Sequence, residues 1–348
     1  MQPLRASSPA PPPTPLRRFL GADPTLFRLL LITLGIFALM SMLRPEQFLT
    51  LSNLRSMAFQ FPEFAVLSLA VTLAMLTGGI DLSVVGTANL AAILVALFWG
   101  RLSTLGVSPE VAIPLGIVLA LVIGGGAGLV NGVLVARIGI PPILATLGTS
   151  QVFTGIGLGI TGGRAVLGLP EAFSQVGNGA VWGVPVPFVI FTVCAVVVAV
   201  LLNRTTFGEK IYLFGTNALA SRFAGLGNER IIIRTYLVCG LLSSVAGLIM
   251  MSRANSAKAD FGASYILLCV LIAVLGGVNP YGGFGKVTGV VLAVLSLQFL
   301  SSGFNILRVS NFAKEFVWGL LLLAVMVMGV VTLTRRGGSL RLLRKDRT

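Results

Sequence analysis

Residues 29–43 read LLLITLGIFALMSML and residues 320–331 read LLLLAVMVMGVV, and neither stretch contains a charged side chain. Neither shows the alternation of polar and apolar residues that is typical of a membrane β-barrel strand. A helix needs roughly 20 mostly apolar residues to cross the hydrocarbon core of a bilayer. The first stretch reaches that length when Phe27 is added and the side chains of Arg28 and Arg44 extend towards the membrane surface. The sequence therefore predicts an all-α membrane protein.

Stretches of this kind recur along the whole chain. Outside the Pro-rich start, those of at least 15 residues without Asp, Glu, Lys or Arg are rich in Leu, Val, Ile, Ala, Gly and Phe. We therefore expect about ten transmembrane helices. The stretches are 29–43, 64–80, 82–100, 111–136, 138–163, 172–203, 235–252, 261–285, 287–307 and 316–334.

The composition excludes several other classes of protein. Charged residues make up 10% of the 348 residues, against about 25% in soluble proteins. The chain has no histidine, and its three cysteines, Cys194, Cys239 and Cys269, lie far apart inside apolar runs. Together these two facts exclude Ser-His-Asp hydrolysis and zinc-finger sites. The net charge is +14, but the basic residues are dispersed between apolar stretches and not gathered on one solvated face. Nucleic acid is therefore not an expected partner.

The distribution of basic residues predicts the orientation. With an even number of spans both termini lie on one side, and with the N-terminus inside, 17 of the 25 Lys and Arg residues fall on the inside. This agrees with the excess of cations in cytoplasmic loops. The connection 203–234 is rich in cations and falls inside, whereas the longest outside connection, roughly 162–184, is poor in them. The sequence thus predicts an N-in, C-in topology.

Three regions follow from these patterns. Residues 1–24 are Pro-rich and are expected to be a disordered cytoplasmic tail, either a docking segment for a partner or a plain solvated tail. Residues 25–335 form the transmembrane domain, with the inside loop 203–234. Residues 336–348 are expected to be a basic cytoplasmic tail.

Two glycine-rich segments interrupt the apolar pattern, near 78–83 and 276–285. In the first, the glycines permit a sharp break, and Asp81 or Ser83 can cap the next helix; a plain turn with a capped helix is the alternative. The second is not a phosphate-binding loop, because Pro280 stands where its first glycine belongs. The two segments also resemble each other, either as a weak internal repeat or by chance. The backbone-break glycines are Gly78, Gly79, Gly276, Gly277, Gly282, Gly283 and Gly285.

Uncharged polar residues lie within or near several spans. Each can hydrogen-bond a neighbouring helix, and as a group they can line a path for a hydroxylated solute. Apart from Glu63 and Asp81, the sequence places no acidic group deep enough to relay protons or hold sodium. This scarcity weakens the case for ion coupling. Gly124, Gly128 and Gly132 form a strip on which another helix can pack closely. The candidate path residues are Asp81, Ser83, Asn89, Thr146, Gln151, Asn279, Gln298 and Asn305.

The inside loop contains a short predicted helix. Asn217 can cap it, residues 218–224 favour helix, and Gly225 suits its end. The helix either inserts into a groove of a soluble partner or lies passively on the lipid surface. The residues predicted to contact a partner are Asn217, Leu219, Ala220, Arg222, Phe223 and Gly225.

Three motifs resemble the permease subunits of sugar-importing ABC transporters, the ribose permease family, which is distantly related to branched-chain amino acid permeases. They are TGGIDLSVVGTANLAA at 77–92, FGEKIYLFGTNALASRFAGL at 207–226 with SAKADFGASY at 256–265, and LGGVNPYGGFGKVTG at 275–289. The resemblance covers roughly residues 25–335. Within the family, the sequence is most similar to permeases for deoxyhexoses such as rhamnose, or for autoinducer-2, with pentoses as a further option.

The resemblance implies a set of partners. It implies a second permease subunit, identical or different, two cytoplasmic ABC ATPases that hold ATP and Mg, and a periplasmic substrate-binding protein. It also implies that 217–226 is the coupling helix, that the chain lies in the bacterial inner membrane among its lipids, and that it holds no cofactor or metal itself. The chain would then move solute by alternating access and would catalyse no chemical reaction itself.

Other functions remain open from the sequence. The glycine segments together with Asp81 and Glu63 suggest a secondary transporter that works alone. A membrane scaffold without transport is another interpretation of the same motifs. Within the ABC class, a branched-chain amino acid is the nearest rival substrate.

Overall fold

A computed structural model describes the backbone of residues 24–336 and the side chains of residues 25–327. The predicted tails, 1–24 and 336–348, lie outside these described residues except for one residue at the border of each. The described chain is helical almost throughout, with one small hairpin of β1 (Ala180–Val181) and β2 (Val184–Pro185). The prediction of an all-α membrane protein is confirmed.

The helices follow one another with short connections. Their bounds are α1 Pro24–Leu43, α2 Pro45–Phe48, α3 Leu51–Gln60, α4 Pro62–Leu76, α5 Val84–Thr104, α6 Pro109–Ala136, α7 Pro142–Thr161, α8 Glu171–Asn178, α9 Val186–Arg204, α10 Thr206–Thr216, α11 Ala218–Phe223, α12 Asn228–Ala254, α13 Tyr265–Leu275, α14 Val287–Ile306 and α15 Asn311–Arg336.

Helix α4 is the centre of the bundle. All 15 of its residues are buried, as expected for a helix that is apolar on every side. It packs against α12, α13 and α9, and its side chains form the middle of the main hydrophobic core. The remaining helices surround it and expose apolar side chains outwards.

The tightest helix pair is α6 with α12. The predicted glycine strip makes this contact: a Cβ added at Gly132 would lie 2.8 Å from the Cα of Ile233, and Gly124 and Gly128 face the carbonyls of Gly240 and Tyr236. Side chains at these three positions would separate the two helices. The packing role predicted for the strip is confirmed.

Seven described helices are long and apolar enough to cross a membrane, or eight if α3 and α4, which meet at a bend of 44°, form one span. Helix α13 has 11 residues, about 16 Å of helix, and is shorter than the roughly 30 Å hydrocarbon core. The stretch 172–203 is divided into α8, the hairpin and α9. The total of ten spans and their orientation remain predictions.

Both predicted breaks are present. Residues 77–83 separate α4 from α5, and residues 276–286 separate α13 from α14. Gly78 has φ +79° and Gly277 has φ +84°, a region that side chains disfavour. The order of helix, glycine turn and helix therefore occurs twice, as the sequence pattern indicated.

Candidate functional site

The first glycine turn holds a buried carboxylate in a hydrogen-bond network. Asp81 is 2% exposed, and Ser83 donates to its Oδ1 from the backbone N–H (2.9 Å) and from the hydroxyl (2.6 Å). Asn131 Nδ2 donates to Ser83 Oγ (2.7 Å), and the Thr149 hydroxyl donates to Asn131 Oδ1 (2.6 Å). This network joins the turn to α6 and α7.

A second set of hydrogen bonds fixes the same turn to α7. The backbone N–H of Leu82 donates to Thr146 Oγ1 at 3.1 Å, and Thr146 lies 3.1 Å from the carbonyl oxygen of Ile80. Irregular backbone inside a membrane protein needs such internal partners, because the bilayer core offers no water. Thr146 is therefore placed as a support for the turn.

The predicted side-chain cap of α5 is wrong. Ser83 is the N-cap residue, but its side chain accepts no bond from the helix, and Asp81 bonds the N–H of Ser83 and not one in the first turn. The Ser83 hydroxyl instead donates to Asp81 and accepts from Asn131. The network with α6 occupies the oxygen that a cap would use.

In the second glycine turn, Asn279 forms hydrogen bonds with other residues of the same turn. Asn279 Oδ1 accepts from the N–H of Tyr281 (3.1 Å), and its Nδ2 donates to the carbonyl of Gly282 (3.2 Å). Tyr281 is 79% exposed, and Phe284 is also exposed. The turn thus presents two aromatic rings outwards.

The two turns meet at one end of the bundle, which we name the junction end. The N–H of Gly283 donates to the carbonyl of Leu76, the last residue of α4, at 3.0 Å. A Cβ added at Gly78 would lie 3.2 Å from the carbonyl oxygen of Tyr281, and one at Gly282 would lie 2.8 Å from the N of Gly78. The glycines are required here because two stretches of backbone approach closely.

Helix α10 packs directly on this junction. A Cβ at Gly215 would meet the carbonyl of Leu76 and would lie 2.5 Å from the N of Gly283. The Tyr212 hydroxyl donates to the carbonyl of Gly285 at 2.9 Å, and burial raises the pKa of Tyr212, so this donor stays protonated at neutral pH. The second half of α10 is thus in contact with the end of α4 and with the second glycine turn.

The next helix, α11, has the geometry that the sequence predicts. Asn217 Oδ1 accepts from the N–H of Ala220 at 2.9 Å, and Gly225, with φ +77°, lies just after the helix end. Leu219 is 64% and Phe223 84% exposed, and Ala220 and Arg222 are exposed as well. Two large apolar side chains and one cation therefore point away from the bundle at the junction end.

The other predicted path residues are not brought together. Asn89 is buried, and its Nδ2 donates to the carbonyls of Ala259 (2.9 Å) and Phe261 (2.8 Å). Gln298 is buried with no partner for its Nε2 among the described residues, and Asn305 is exposed and accepts from Lys314. Asn89 and Asn305 therefore link segments of the chain, and no link is made by the Gln298 nitrogen among the described residues.

Gln151 is different, because it lies exposed near the middle of α7. Gly148, Gly155 and Gly159 share its face at spacings of three and four residues, and a Cβ added at each would meet nothing within 4 Å. A polar amide in contact with lipid at mid-membrane is unfavourable. This face of α7 is therefore suited to contact protein or water.

The end of the bundle opposite the junction holds an ion pair between buried Glu63 and partly buried Arg253. Arg253 Nη1 lies 2.6 Å from Glu63 Oε1, and the Tyr265 hydroxyl donates to Glu63 Oε2 at 3.0 Å. The pair joins α4 to α12 and to α13. Both oxygens of this carboxylate are therefore engaged by protein groups.

Some of these residues are missed by sequence reasoning. Gly215 is a glycine inside a helix, and Tyr212 is one aromatic residue in an amphipathic stretch, so neither carries a local signal. No cluster of three His, Cys, Asp or Glu side chains that could hold a metal occurs among the described residues.

Comparison with known proteins shows which family the sequence matches. The model described as branched-chain amino acid transport system / permease component matches residues 53–326. The autoinducer 2 import system permease protein LsrD of Yersinia enterocolitica is 33% identical over 325 residues, 92% of this chain and 94% of that protein. The LsrD protein of Yersinia pseudotuberculosis is 32% identical over 326 residues, with the same coverage of each chain. No solved structure gives a significant match. The chain therefore belongs to this family of ABC-importer permeases.

Proposed function

We propose that the chain is the translocation subunit of a binding-protein-dependent importer in the bacterial inner membrane. It pairs with a second permease, receives solute from a periplasmic binding protein and is driven by cytoplasmic ATPases that hold the ATP and Mg. The observation that carries this proposal is α11: a capped helix with exposed Leu219 and Phe223, placed directly after a helix that contacts the end of α4 and the second glycine turn.

The proposed mechanism follows from that placement. The junction end faces the cytoplasm, in line with the cation-rich loop 203–234. When the ATPases close, they displace α11, and α10 carries the displacement because Gly215 is packed against Leu76 and Gly283. The breaks between α4 and α5 and between α13 and α14 then change the side to which the path is open, which is alternating access.

We place the path along the exposed face of α7. Gln151 supplies one amide to a hydroxylated solute, and Gly148 and Gly155 leave room beside it. The second permease completes the wall. On the buried side, Thr146 of α7 bonds the first glycine turn, and Asn89 of α5 bonds the carbonyls of Ala259 and Phe261.

The proposed solute is a neutral sugar or sugar-like molecule. The relatives are permeases for autoinducer 2 import, and the exposed face of α7 carries an amide and no charge. Autoinducer-2, a deoxyhexose such as rhamnose and a pentose all fit this chemistry. A branched-chain amino acid, the class in the family's description, also requires groups that recognise a carboxylate and an ammonium.

A lone secondary transporter is less well supported. Its ion-coupling carboxylates would be Asp81 and Glu63, but Asp81 accepts two hydrogen bonds from Ser83 and Glu63 is paired with Arg253. Uptake by this chain in vesicles with an ion gradient and no ATPase would overturn the importer proposal.

The coupling role is tested in vesicles that contain the complete complex, the binding protein and ATP, with radiolabelled autoinducer-2, rhamnose and ribose as solutes. Phe223→Ala and Leu219→Ala should each weaken ATPase binding about 30-fold, because a residue of this kind at an interface contributes about 2 kcal/mol. Uptake should fall with the loss of binding. Leu105→Ala is the matched control, because Leu105 is 65% exposed at the end of α5 away from the junction. Equal uptake in all three variants would contradict the coupling role.

The path is tested with substitutions on α7. Gln151→Leu should reduce uptake without lowering the yield of assembled complex, and Gly155→Leu should reduce both uptake and permease pairing because it fills the face. Val152→Leu is the control, since Val152 is exposed on α7 and the substitution keeps an apolar side chain there. Normal uptake by the Gln151 and Gly155 variants would exclude this face as the path.

A further inference from the structure

A large apolar groove lies between α1, α9 and α14. It encloses about 1080 Å³, and its walls include Leu30, Phe191, Ala195 and Leu292. The polar residues among those that line it are Thr192, Lys286 and Thr288. A groove of this size is at the upper end of the range for bound small molecules, roughly 300 to 1,000 Å³.

A smaller and more polar pocket of about 410 Å³ adjoins the groove at the junction end. Leu26 and Lys286 line both cavities. The pocket is completed by Asn203, Tyr212 and the second glycine turn. An apolar groove along the spans thus continues into a polar pocket where the spans end.

Each of the three elements that form the groove carries a cation at this end. Lys286 immediately precedes α14 and lines the pocket, whereas Arg28, in the first turns of α1, and Arg204, the last residue of α9, are exposed at this end and are not lining residues. The Nδ2 of Asn203 donates to the carbonyl of Ala199 and has a second hydrogen to donate. The pocket end therefore suits an anion with several acceptor oxygens.

The surface beside the groove has the character of a lipid contact. The exposed residues along this part of α9 are Thr192 and the valines Val193, Val196, Val197 and Val200, without the glycines and the amide that mark the exposed face of α7. Helix contacts in membranes favour small and polar residues. Acyl chains therefore fit this surface better than a second permease does.

We propose that the groove and the pocket form one binding site for an anionic phospholipid. An acyl chain lies in the groove, and the phosphate lies in the pocket at Lys286, with Arg28 and Arg204 adding positive charge. Basic pockets between spans bind lipid head groups in this way. The assignment to the cytoplasmic leaflet rests on the orientation proposed above, whereas the site itself does not.

Bound lipid is the measurement that tests the site. The full-length permease is reconstituted in vesicles of equal phosphatidylglycerol and phosphatidylethanolamine and extracted in detergent, and the retained lipid is counted by native mass spectrometry. The wild-type chain should retain phosphatidylglycerol preferentially. Lys286→Gln should lower that preference about fivefold, which corresponds to the roughly 1 kcal/mol per basic residue near a membrane surface.

Matched controls separate the site from general lipid binding. Val196→Trp should displace both lipids by filling the groove, whereas Val122→Trp, an exposed valine of α6 outside the groove, should not. Lys258→Gln alters a cation in the 256–264 segment, after the end of α12 away from the junction, and should leave the preference unchanged. The thermal midpoint of each variant is measured to exclude misfolding.

Three results would overturn the proposal. They are equal retention of the two lipids by the wild-type chain, unchanged retention in Val196→Trp, and disulfide cross-linking between permease copies carrying Val196→Cys, which would assign the groove to a second copy. None of these measurements depends on transport, so the proposed function can fail or hold independently.

Discussion

The two glycine turns share a sequence pattern and differ in their surroundings. Each turn follows a short helix and begins with two glycines. The first turn reads Gly78-Gly79-Ile80-Asp81 and carries a carboxylate at its fourth position, where the second, Gly276-Gly277-Val278-Asn279, carries an amide. Asp81 is buried and belongs to a network that reaches α6 and α7, whereas Asn279 is half-buried and bonds within its own turn. Similar local patterns therefore give one turn whose carboxylate is linked to α6 and α7 and one turn whose amide bonds only its own residues. The helices packed over each turn decide the difference.

The largest expected effect comes from separating the turns from α10. Gly215→Ala places a methyl group against the carbonyl of Leu76 and the N of Gly283, and backbone cannot give way as a flexible side chain does. We expect a loss of about 2 to 3 kcal/mol in stability, measured as the thermal midpoint in detergent. Gly100→Ala is the control, because its Cβ would meet nothing within 4 Å. Equal midpoints for the two variants would show that α10 is not fixed to the junction.

The second prediction compares the amide side chains that support the two turns, Asn131 for the first and Asn279 for the second. Asn131→Ala removes the donor to Ser83 and the acceptor of the Thr149 hydroxyl inside the bundle, and we expect it to cost about 1 to 3 kcal/mol. Asn279→Ala removes bonds at a half-buried turn and should cost less, about 0.5 to 1 kcal/mol. Both are measured by chemical or thermal unfolding in the same detergent. A larger loss in Asn279→Ala would reverse the comparison.

A smaller effect is expected where the second turn meets α10. Tyr212→Phe removes the hydroxyl that donates to the carbonyl of Gly285 and keeps the ring. The expected cost is about 1 kcal/mol, and hydrogen exchange at residues 282–286 should rise in the variant while residues 77–83 stay protected. Faster exchange at both turns would mean that they open as one unit.

The smallest effect on stability is expected at Tyr281. It is 79% exposed, so Tyr281→Ala should change the free energy of unfolding by less than about 0.5 kcal/mol. Because the ring projects from the junction end, the same variant should weaken ATPase binding, measured by co-purification of the ATPase. Normal co-purification would show that the Tyr281 ring does not contribute to ATPase binding.

Local features of the fold can be predicted from the sequence, and long-range ones cannot. Helix α11 follows from Asn217 and Gly225, because caps involve residues only a few positions apart. The strip of Gly124, Gly128 and Gly132 indicates close packing without naming α12 as the partner. The bond from Asn131 to Ser83 joins residues 48 positions apart, and no local pattern specifies it.

The candidate site shows the same limit. Asn89, Gln151 and Gln298 are all amides within apolar runs and are equivalent by composition. The structure buries Asn89 against two carbonyls and leaves Gln151 exposed, because the helices that cover each position come from distant parts of the chain. The role of Gly215 depends likewise on Leu76 and Gly283, which are far away in sequence.

The burial of α4 has a mechanical consequence. Its 15 residues form about 22 Å of helix, clamped by the Glu63–Arg253 pair at one end and by Gly283 at the other. A close-packed interior transmits strain with little compression. An axial shift of Leu76 would therefore be carried along α4 to Glu63, so that the junction end of the bundle is mechanically connected to the end that holds the Glu63–Arg253 pair.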